Sequence, residues 1–444
     1  MQVEFHTILT GAHRAGALEN HALYCERLGY RHVVHSMTSP TNRQTDVLFY
    51  RYSRIRQILW MGARHTPRRM FVFADESAAI YAFIPAESII GTRSCWIATC
   101  SFSRLPEGAV MMFRADEVAL QIVDSILDQV STRMISGMDR WDGEELRHLG
   151  GIATVEPLEG GHFPSLNFLA HGGNLPEAST FVLSFNERIR NYRHDARLAD
   201  VFMRYLAGVQ RRHGRLYDDF NGDAHPAPFD VVNAGKPVGV ISAYTPNIAT
   251  YARLSVHNIS QWCRRHGYTH YIYHDLDRVS LDAGTRANWA KAELLLRHID
   301  SHDYVSWIDA DILIIGQARG LMEVVDPGAT ATFYRDVGGA SGFNNGFMVF
   351  AACDTSRAYL QRVRAQMANV EDRSSVYASG GDQHYFVQAW QEAGQVEGVL
   401  LDAMTANTHP VLLDDDTWMI HYAGIPERIR AVYMRHDMAT LVRH

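Results

Sequence analysis

Two carboxylates stand inside an apolar run, Tyr304-Val-Ser-Trp-Ile-Asp-Ala-Asp-Ile-Leu-Ile-Ile315. Burying ionised carboxylates is costly unless a positive partner neutralises them. A strand alternates its faces, so Asp309 and Asp311 are expected to point the same way. At a strand's end they offer two oxygen donors to one hard divalent cation, Mn²⁺ or Mg²⁺. His421 follows the strand-like Trp418-Met-Ile420; as a neutral imidazole it completes such a site, the alternative being a structural histidine. Asn344 and Asn345, in a polar turn leading into a strand, have the amide donors and acceptors that suit sugar hydroxyls, or form a plain turn. Gly380-Gly-Asp-Gln383 precedes an apolar helix. Asp382 there is either the N-cap or, with Gln383, a group facing a substrate. Lys291 is an exposed lysine or a point charge for a diphosphate.

The elements that position these groups are legible in part. Pro237 to Tyr244 reads as a buried strand, followed by a helix from about Ile248 to His266 with Gly267 as its stop signal. His270 to His274 reads as a second strand, and Arg286 to His298 has helical spacing. Strands alternating with helices predict an α/β domain with a mainly parallel sheet. Ligands gather at the carboxyl ends of such strands, where Tyr244, Asp309 and Asp311 fall.

The chain has 444 residues, enough for two or three domains, with 47% apolar and 20% charged residues. Its net charge of −7 weighs against a nucleic-acid partner. No run is long enough for a membrane span, and the start lacks the pattern of a secretory signal. The five cysteines, Cys25, Cys95, Cys100, Cys263 and Cys353, read as free thiols of a cytoplasmic protein.

The chain also repeats itself. Cys25-Glu-Arg-Leu-Gly-Tyr-Arg-His32 matches Cys263-Arg-Arg-His-Gly-Tyr-Thr-His270. Tyr52-Ser-Arg54 resembles Trp289-Ala-Lys291, and Met70 to Ser77 lies over Tyr304 to Asp311, with Asp75 on Asp309. Glu107 to Met112 lies over Asn345 to Phe350, and His171 to Glu177 over His421 to Glu427. Matches in one order predict two copies of one domain. We expect a degenerate domain over 1–185, a bridging helix and linker over 186–235, and a catalytic domain over 236–444. In the first copy Ser77 replaces the second acid. Pro106 and Glu107 stand at the asparagine pair, and Asp142-Gly143 is nearest to Asp382-Gln383. Losing a carboxylate predicts weak or absent metal binding there. That copy reads as a scaffold, acceptor-holding or dimerisation module, the last implying a homo-oligomer, the alternative being a second, metal-independent active site.

Together the pieces Trp262-Cys-Arg-Arg-His-Gly-Tyr268, Trp289-Ala-Lys291, Trp307-Ile-Asp-Ala-Asp311, Asn344-Asn-Gly346, Asp382-Gln383 and His421-Tyr-Ala-Gly424 resemble one enzyme family. It is the glycosyltransferase family of fungal mannan α-galactosyltransferases and plant xyloglucan xylosyltransferases. The neighbouring glycogenin-like family shares the last four pieces. The resemblance implies two tandem GT-A-like, Rossmann-like domains. It implies Mn²⁺ (or Mg²⁺) on Asp309, Asp311 and His421, holding the diphosphate of a UDP-sugar. Ser242, Ala243, Tyr244, Lys291, Asp309, Ala310, Asn344, Asn345 and Gly424 form the expected donor-binding set, with Asp382 and Gln383 facing the reacting sugar. A galactose-like hexose or xylose would pass, with retained configuration, to a saccharide or other hydroxyl acceptor. Two departures bear on this: no membrane anchor is seen, and Ile425-Pro-Glu427 replaces the family's final cysteine-containing loop. The competing readings are a non-catalytic nucleotide-sugar-binding or assembly protein and a haloacid-dehalogenase-like phosphatase. The latter's pattern asks for Thr or Val where this chain has Leu313.

Overall fold

The computed structural model describes residues 2–10, 15–37, 43–64, 69–99, 106–137, 145–146, 149, 181–185, 196–214, 216, 227–276, 287–336, 342–372, 378–392, 398–401, 406–425 and 427–442. The chain divides into two compact units, Met1–Leu216 and Tyr217–His444. In the first unit the strands are β1 (Gln2–Leu9), β2 (Arg31–Ser36), β3 (Arg69–Asp75), β4 (Ala78–Ile80), β5 (Cys95–Thr99), β6 (Pro106–Arg114) and β7 (Val182–Ser184). Its helices are α1 (Ala15–Leu28), α2 (Gln44–Ala63), α3 (Ala86–Ile90), α4 (Glu117–Ile135) and α5 (Ala196–Arg211). The second unit contains β8 (Phe229–Val232), β9 (Val238–Ala243), β10 (Thr269–Tyr273), β11 (Tyr304–Ile308), β12 (Ile312–Ile314), β13 (Ala331–Arg335), β14 (Phe343–Ala351), β15 (Gly398–Leu401) and β16 (Met419–His421). Its helices are α6 (Ala249–His266), α7 (Lys291–His298), α8 (Asp354–Ala368), α9 (Gly381–Glu392) and α10 (Glu427–Thr440).

Both units are α/β. The first sheet runs β2-β1-β3-β6-β5, and the second runs β15-β13-β14-β11-β9-β10-β8. The inner five strands of the second, β10-β9-β11-β14-β13, repeat the order of the first. In each the first three strands of that order are parallel and the next pairings are antiparallel. Each unit adds a short antiparallel ribbon, β4 with β7 and β12 with β16. Apolar residues pack on both faces of each sheet, as helix-covered strands require. Burying a side chain such as Leu, Ile, Val or Phe contributes roughly 1.5–3 kcal/mol.

The two units also have single hydrogen bonds in common. α1 and α6 each end on a glycine in the left-handed region, Gly29 at φ 68° and Gly267 at φ 67°. Only a residue without Cβ adopts that turn cheaply. The following Tyr30 and Tyr268 amides each bond back, at 2.9 Å, to the carbonyls of Cys25 and Cys263. Asn20 brackets Ile80, accepting from its N–H at 2.6 Å and donating to its carbonyl at 3.0 Å. Asn258 does the same to Ile314, at 2.8 and 3.1 Å. Thr7 meets His32 Nε2 at 2.8 Å, as Ser242 meets His270 Nε2 at 3.2 Å.

This register adjusts several expectations. The Asp309/Asp311 run is not one strand: β11 stops at Ile308, the chain turns, and the Ile312 N–H bonds to the Asp309 carbonyl at 3.2 Å. Asn344 and Asn345 lie inside β14 rather than in a turn. Ala74 faces Val110 as Ile308 faces Phe347, so Glu107 and Gly108, not Pro106 and Glu107, take the places of the asparagine pair. Ala78 faces Ser184 as Ile312 faces His421, so Ser184, rather than His171, has the register of His421. The same alignment shows in the Phe185 N–H bonded to the Ser77 carbonyl and the Tyr422 N–H bonded to that of Asp311. His171 and Asp142-Gly143 lie outside the described residues, as do Cys100, Arg286 and 217–226 of the linker. The described part of the expected bridging helix is α5, and it packs into the first unit. Gln210 donates to the carbonyls of Ile80 and Tyr81 at 2.9 and 2.8 Å, while β8 extends the second sheet from within the expected linker. Cys25, Cys95, Cys263 and Cys353 are free thiols. Among the described residues, no helix is long and apolar enough to cross a membrane.

Candidate functional site

β11 delivers Asp309 and Asp311 to the end of the parallel trio β10-β9-β11, and β16 delivers His421 beside them. Ile312 pairs with His421 across the ribbon, which fixes their separation. One ligand atom from each of Asp309, Asp311 and His421 lies within 4.8 Å of the others. The packing centre of this cluster is Gly346. A Cβ built there would stand 2.5 Å from His421 Cε1, 2.8 Å from Asn344 Oδ1 and 3.1 Å from Asp309 Oδ2. Glycine is therefore required for close approach rather than for its dihedral freedom.

The two aspartates face different partners. Asp309 accepts from Trp307 Nε1 at 2.7 Å and pairs with Lys291 Nζ at 3.1 Å. Lys291 is 1% exposed, and its ammonium also lies 3.1 Å from Asp382 Oδ2 and 3.3 Å from the carbonyl and Oδ1 of Asn345. It is thus a buried counter-ion between two carboxylates, with its three donors facing protein acceptors. Burial pulls the Lys291 ammonium down, and Asp309 and Asp382 more than reverse this, so its pKa is raised. Asp309 is raised, chiefly by burial, against the pull of Lys291. Asp311 pairs with Arg430 at 2.9 Å and lies 3.3 Å from His421 Nε2. Burial works against its ionised form, but Arg430 and His421 together hold Asp311 well below the ordinary carboxylate range.

Asp382 sits in the first turn of α9, inside the helix rather than at its N-cap. It accepts from Asn345 Nδ2 at 2.5 Å and Asn288 Nδ2 at 3.2 Å. Gln383 Oε1 accepts from the Asn345 N–H at 3.3 Å, and Asn344 Oδ1 from the Gly346 N–H at 2.8 Å. Lys291, Asp309, Asp311, Asn344, Asn345, Asp382, Gln383 and His421 are therefore one connected group. Ala310 is buried in the intervening turn, and Gly424 makes a left-handed turn at φ 73° after His421. The rest of the expected donor-binding set is engaged elsewhere. Ser242 donates to the Ile308 carbonyl at 2.9 Å, Ala243 is in the core, and the Tyr244 hydroxyl meets His274 Nδ1 at 2.6 Å.

Sequence reasoning missed Arg430, Asn407, Asn288 and Trp307. Trp307 carries a signal, standing two residues before Asp309. Asn407 fixes His421, its Oδ1 lying 2.6 Å from Nδ1. Arg430 is held by the Ile425 carbonyl at 2.8 Å and the Tyr251 hydroxyl at 2.8 Å. Neither has a spacing that marks it in sequence.

Two carboxylates and an imidazole held by a second-sphere amide form a donor set that fits a divalent cation such as Mn²⁺. The first unit's counterpart does not. Asp75 is paired with Arg51 at 2.7 Å, and its other oxygen accepts from the hydroxyl of Ser77 at 2.5 Å. Arg51, not the expected Arg54, stands where the second unit has Lys291.

No protein-family model matches this chain, and no curated protein does. Several solved structures similar to it are glycosyltransferases. One is involved in glycosylating the major capsid of PBCV-1, at 14% identity over 45% of this chain and 98% of that one, with a TM-score of 0.37. Apo GlyE of Streptococcus pneumoniae TIGR4 is 13% identical over 46% of this chain at a TM-score of 0.33, and this chain spans 61% of its length. Mouse xyloside xylosyltransferase 1 is 14% identical over 43% of this chain and 99% of that one, at a TM-score of 0.29. Likenesses this distant leave the activity to be argued from the site.

Proposed function

We propose that the second unit is a metal-dependent, retaining glycosyltransferase of GT-A type. It would move a galactose-like hexose or xylose from a UDP-sugar to a glycan or other hydroxyl acceptor. The carrying observation is the grouping of Asp309, Asp311 and His421 within 4.8 Å of one another, beside the Lys291–Asp382 pair. Asp309, Asp311 and His421 would hold Mn²⁺. The bound cation would supply Lewis-acid stabilisation of the charge developing on a leaving diphosphate. In the transfer itself, the bond from the anomeric carbon to the diphosphate oxygen breaks and its electron pair leaves with UDP. The acceptor oxygen bonds to the same face, and its proton goes to the departing phosphate. Asp382 supplies a carboxylate for the oxocarbenium-like transition state. Lys291, Asn345 and Asn288 hold that carboxylate in one orientation, which removes reorganisation from the barrier. Gln383 and the asparagine pair orient sugar hydroxyls.

The shared strand order, the Asn20/Asn258 brackets and the glycine caps support a tandem duplication. The first copy would be non-catalytic, a scaffold or dimerisation module, because Ser77 and Ser184 replace two of the three cation ligands. One observation favours a second reading, a nucleotide-sugar-binding protein without turnover. Lys291 and Arg430 already neutralise both aspartates. The test is UDP release from UDP-galactose and UDP-xylose, with Mn²⁺ and with chelator, for wild type and Asp311→Ala. Metal-dependent release that the variant loses supports the transferase. Thermal stabilisation by UDP without release, in wild type, supports the binding protein.

A further inference from the structure

Arg430 reaches Asp311 from α10, and contacts that do not involve Asp311 hold it there. Its Nε and Nη2 donate to the Ile425 carbonyl at 3.1 and 2.8 Å, and its Nη1 donates to the Tyr251 hydroxyl at 2.8 Å. The guanidinium carbon also lies 4.6 Å from the centroid of the Tyr251 ring, within cation–π range. Tyr251 is buried in α6, and Ile425 is buried in the turn that follows His421. A planar fork held at this many points stays in place whether or not anything binds beside it. The same guanidinium divides the two oxygens of Asp311. Oδ2 meets Arg430 Nη1 at 2.9 Å, while Oδ1 faces His421 Nε2 at 3.3 Å. Asn407 Nδ2 donates to the Arg335 carbonyl, so its Oδ1 is the atom that meets His421 Nδ1, and Nδ1 is the nitrogen that carries a proton. In the neutral imidazole Nε2 then turns a lone pair toward Asp311 Oδ1, and a cation satisfies both.

Charge decides when that cation can enter. Asp309, Asp311 and Asp382 are answered by Lys291 and Arg430, so three carboxylates and two cations leave one net negative charge. A divalent cation alone reverses that sign. It does so beside fixed positive side chains that are 1% and 12% exposed and so are poorly screened. A diphosphate arriving with it restores the balance. We infer that Arg430 is a positioning residue that reserves one oxygen of Asp311. As a fixed positive charge, it makes the site bind a divalent cation weakly by itself and tightly together with a diphosphate. This role rests on the cation site proposed above and specifies how that site is loaded. By linkage, the cation strengthens diphosphate binding by the factor by which the diphosphate strengthens cation binding.

The test is direct binding to the full chain. Mn²⁺ alone is followed by electron paramagnetic resonance, and UDP is followed by calorimetry with and without Mn²⁺, with uridine as the uncharged control. In wild type, Mn²⁺ should strengthen UDP binding at least about tenfold and leave uridine binding unchanged. Arg430→Gln keeps a hydrogen-bond donor without the charge, and should bind Mn²⁺ alone at least about tenfold more tightly than wild type. Arg430→Lys keeps the charge and should bind Mn²⁺ as weakly as wild type. A purely structural arginine predicts the opposite, a loss of Mn²⁺ affinity in the glutamine variant as Asp311 is released. That loss, an unchanged affinity, an equal gain in the lysine variant, or UDP binding to wild type that ignores Mn²⁺ would overturn the role; the last of these needs no variant to fold. Coupled binding without UDP release from a UDP-sugar removes the transferase reading and leaves the role standing. Release with uncoupled binding does the reverse, and Mn²⁺ that binds neither alone nor with UDP overturns both.

Discussion

Replacing Lys291 by Met tests the electrostatic core of the site. The ammonium is 1% exposed and lies 3.1 Å from both Asp309 and Asp382, so the substitution keeps an apolar stem and strands two carboxylates. Removing one partner of a buried ion pair typically costs about 3–5 kcal/mol, because the remaining charge is uncompensated. For a unit the size of Tyr217–His444 that corresponds to a fall in Tm of roughly 6–20 °C. The assay is calorimetry, following the second unit's transition, with the first unit's transition as internal control. The pH dependence has a definite sign. Lys291 is raised in the folded state, so its contribution is complete below its unfolded value of about 10.4 and is lost as pH rises through the folded one. The gap between wild type and variant should therefore be flat through neutral pH and narrow only in strong alkali. A Tm loss under about 2–4 °C would refute the assignment of Lys291 as a buried counter-ion.

Three further outcomes are expected. Asn258→Ala and Asn20→Ala each remove the side-chain acceptor of a buried backbone N–H, that of Ile314 or Ile80, while the carbonyls keep Gln317 and Gln210, and each should cost about 1–3 kcal/mol, in the second and first transitions respectively. Gly346→Ala should abolish Mn²⁺-dependent UDP release, since its methyl would stand 2.5 Å from His421 Cε1; the overpacking should cost about 1–3 kcal/mol by urea denaturation. His270 is pushed down to about 3 by burial, so the unfolded chain takes up its proton first. Stability of the second unit should therefore fall as pH drops from about 6.5 towards 3, at up to about 1.4 kcal/mol per pH unit, and His270→Gln should flatten that slope in urea melts.

Much of the site's membership was legible because it is local. An apolar run interrupted by Asp309 and Asp311 announces a compensated charge, and Gly380-Gly-Asp-Gln383 announces a helix start wherever the rest of the chain goes. The α/β class and the limits of α6 followed from periodicity and from Gly267, whose stop needs only its own backbone. The shared strand order of the two units leaves the repeat read from the letters as a proposal, and its register differs from the one the letters suggested. Matching letters put His171 on His421 and Pro106 on Asn344, whereas ladder pairing puts Ser184 and Glu107 there, because loops of unequal length break a constant offset. Tertiary structure alone decided which cation answers which carboxylate. Lys291 turns inward between Asp309 and Asp382, and Arg430 arrives at Asp311 from the last helix, more than a hundred residues away. Residue type sets how strongly two charges attract, but their separation in space sets whether they meet, and that distance is fixed only when α10 packs on α6.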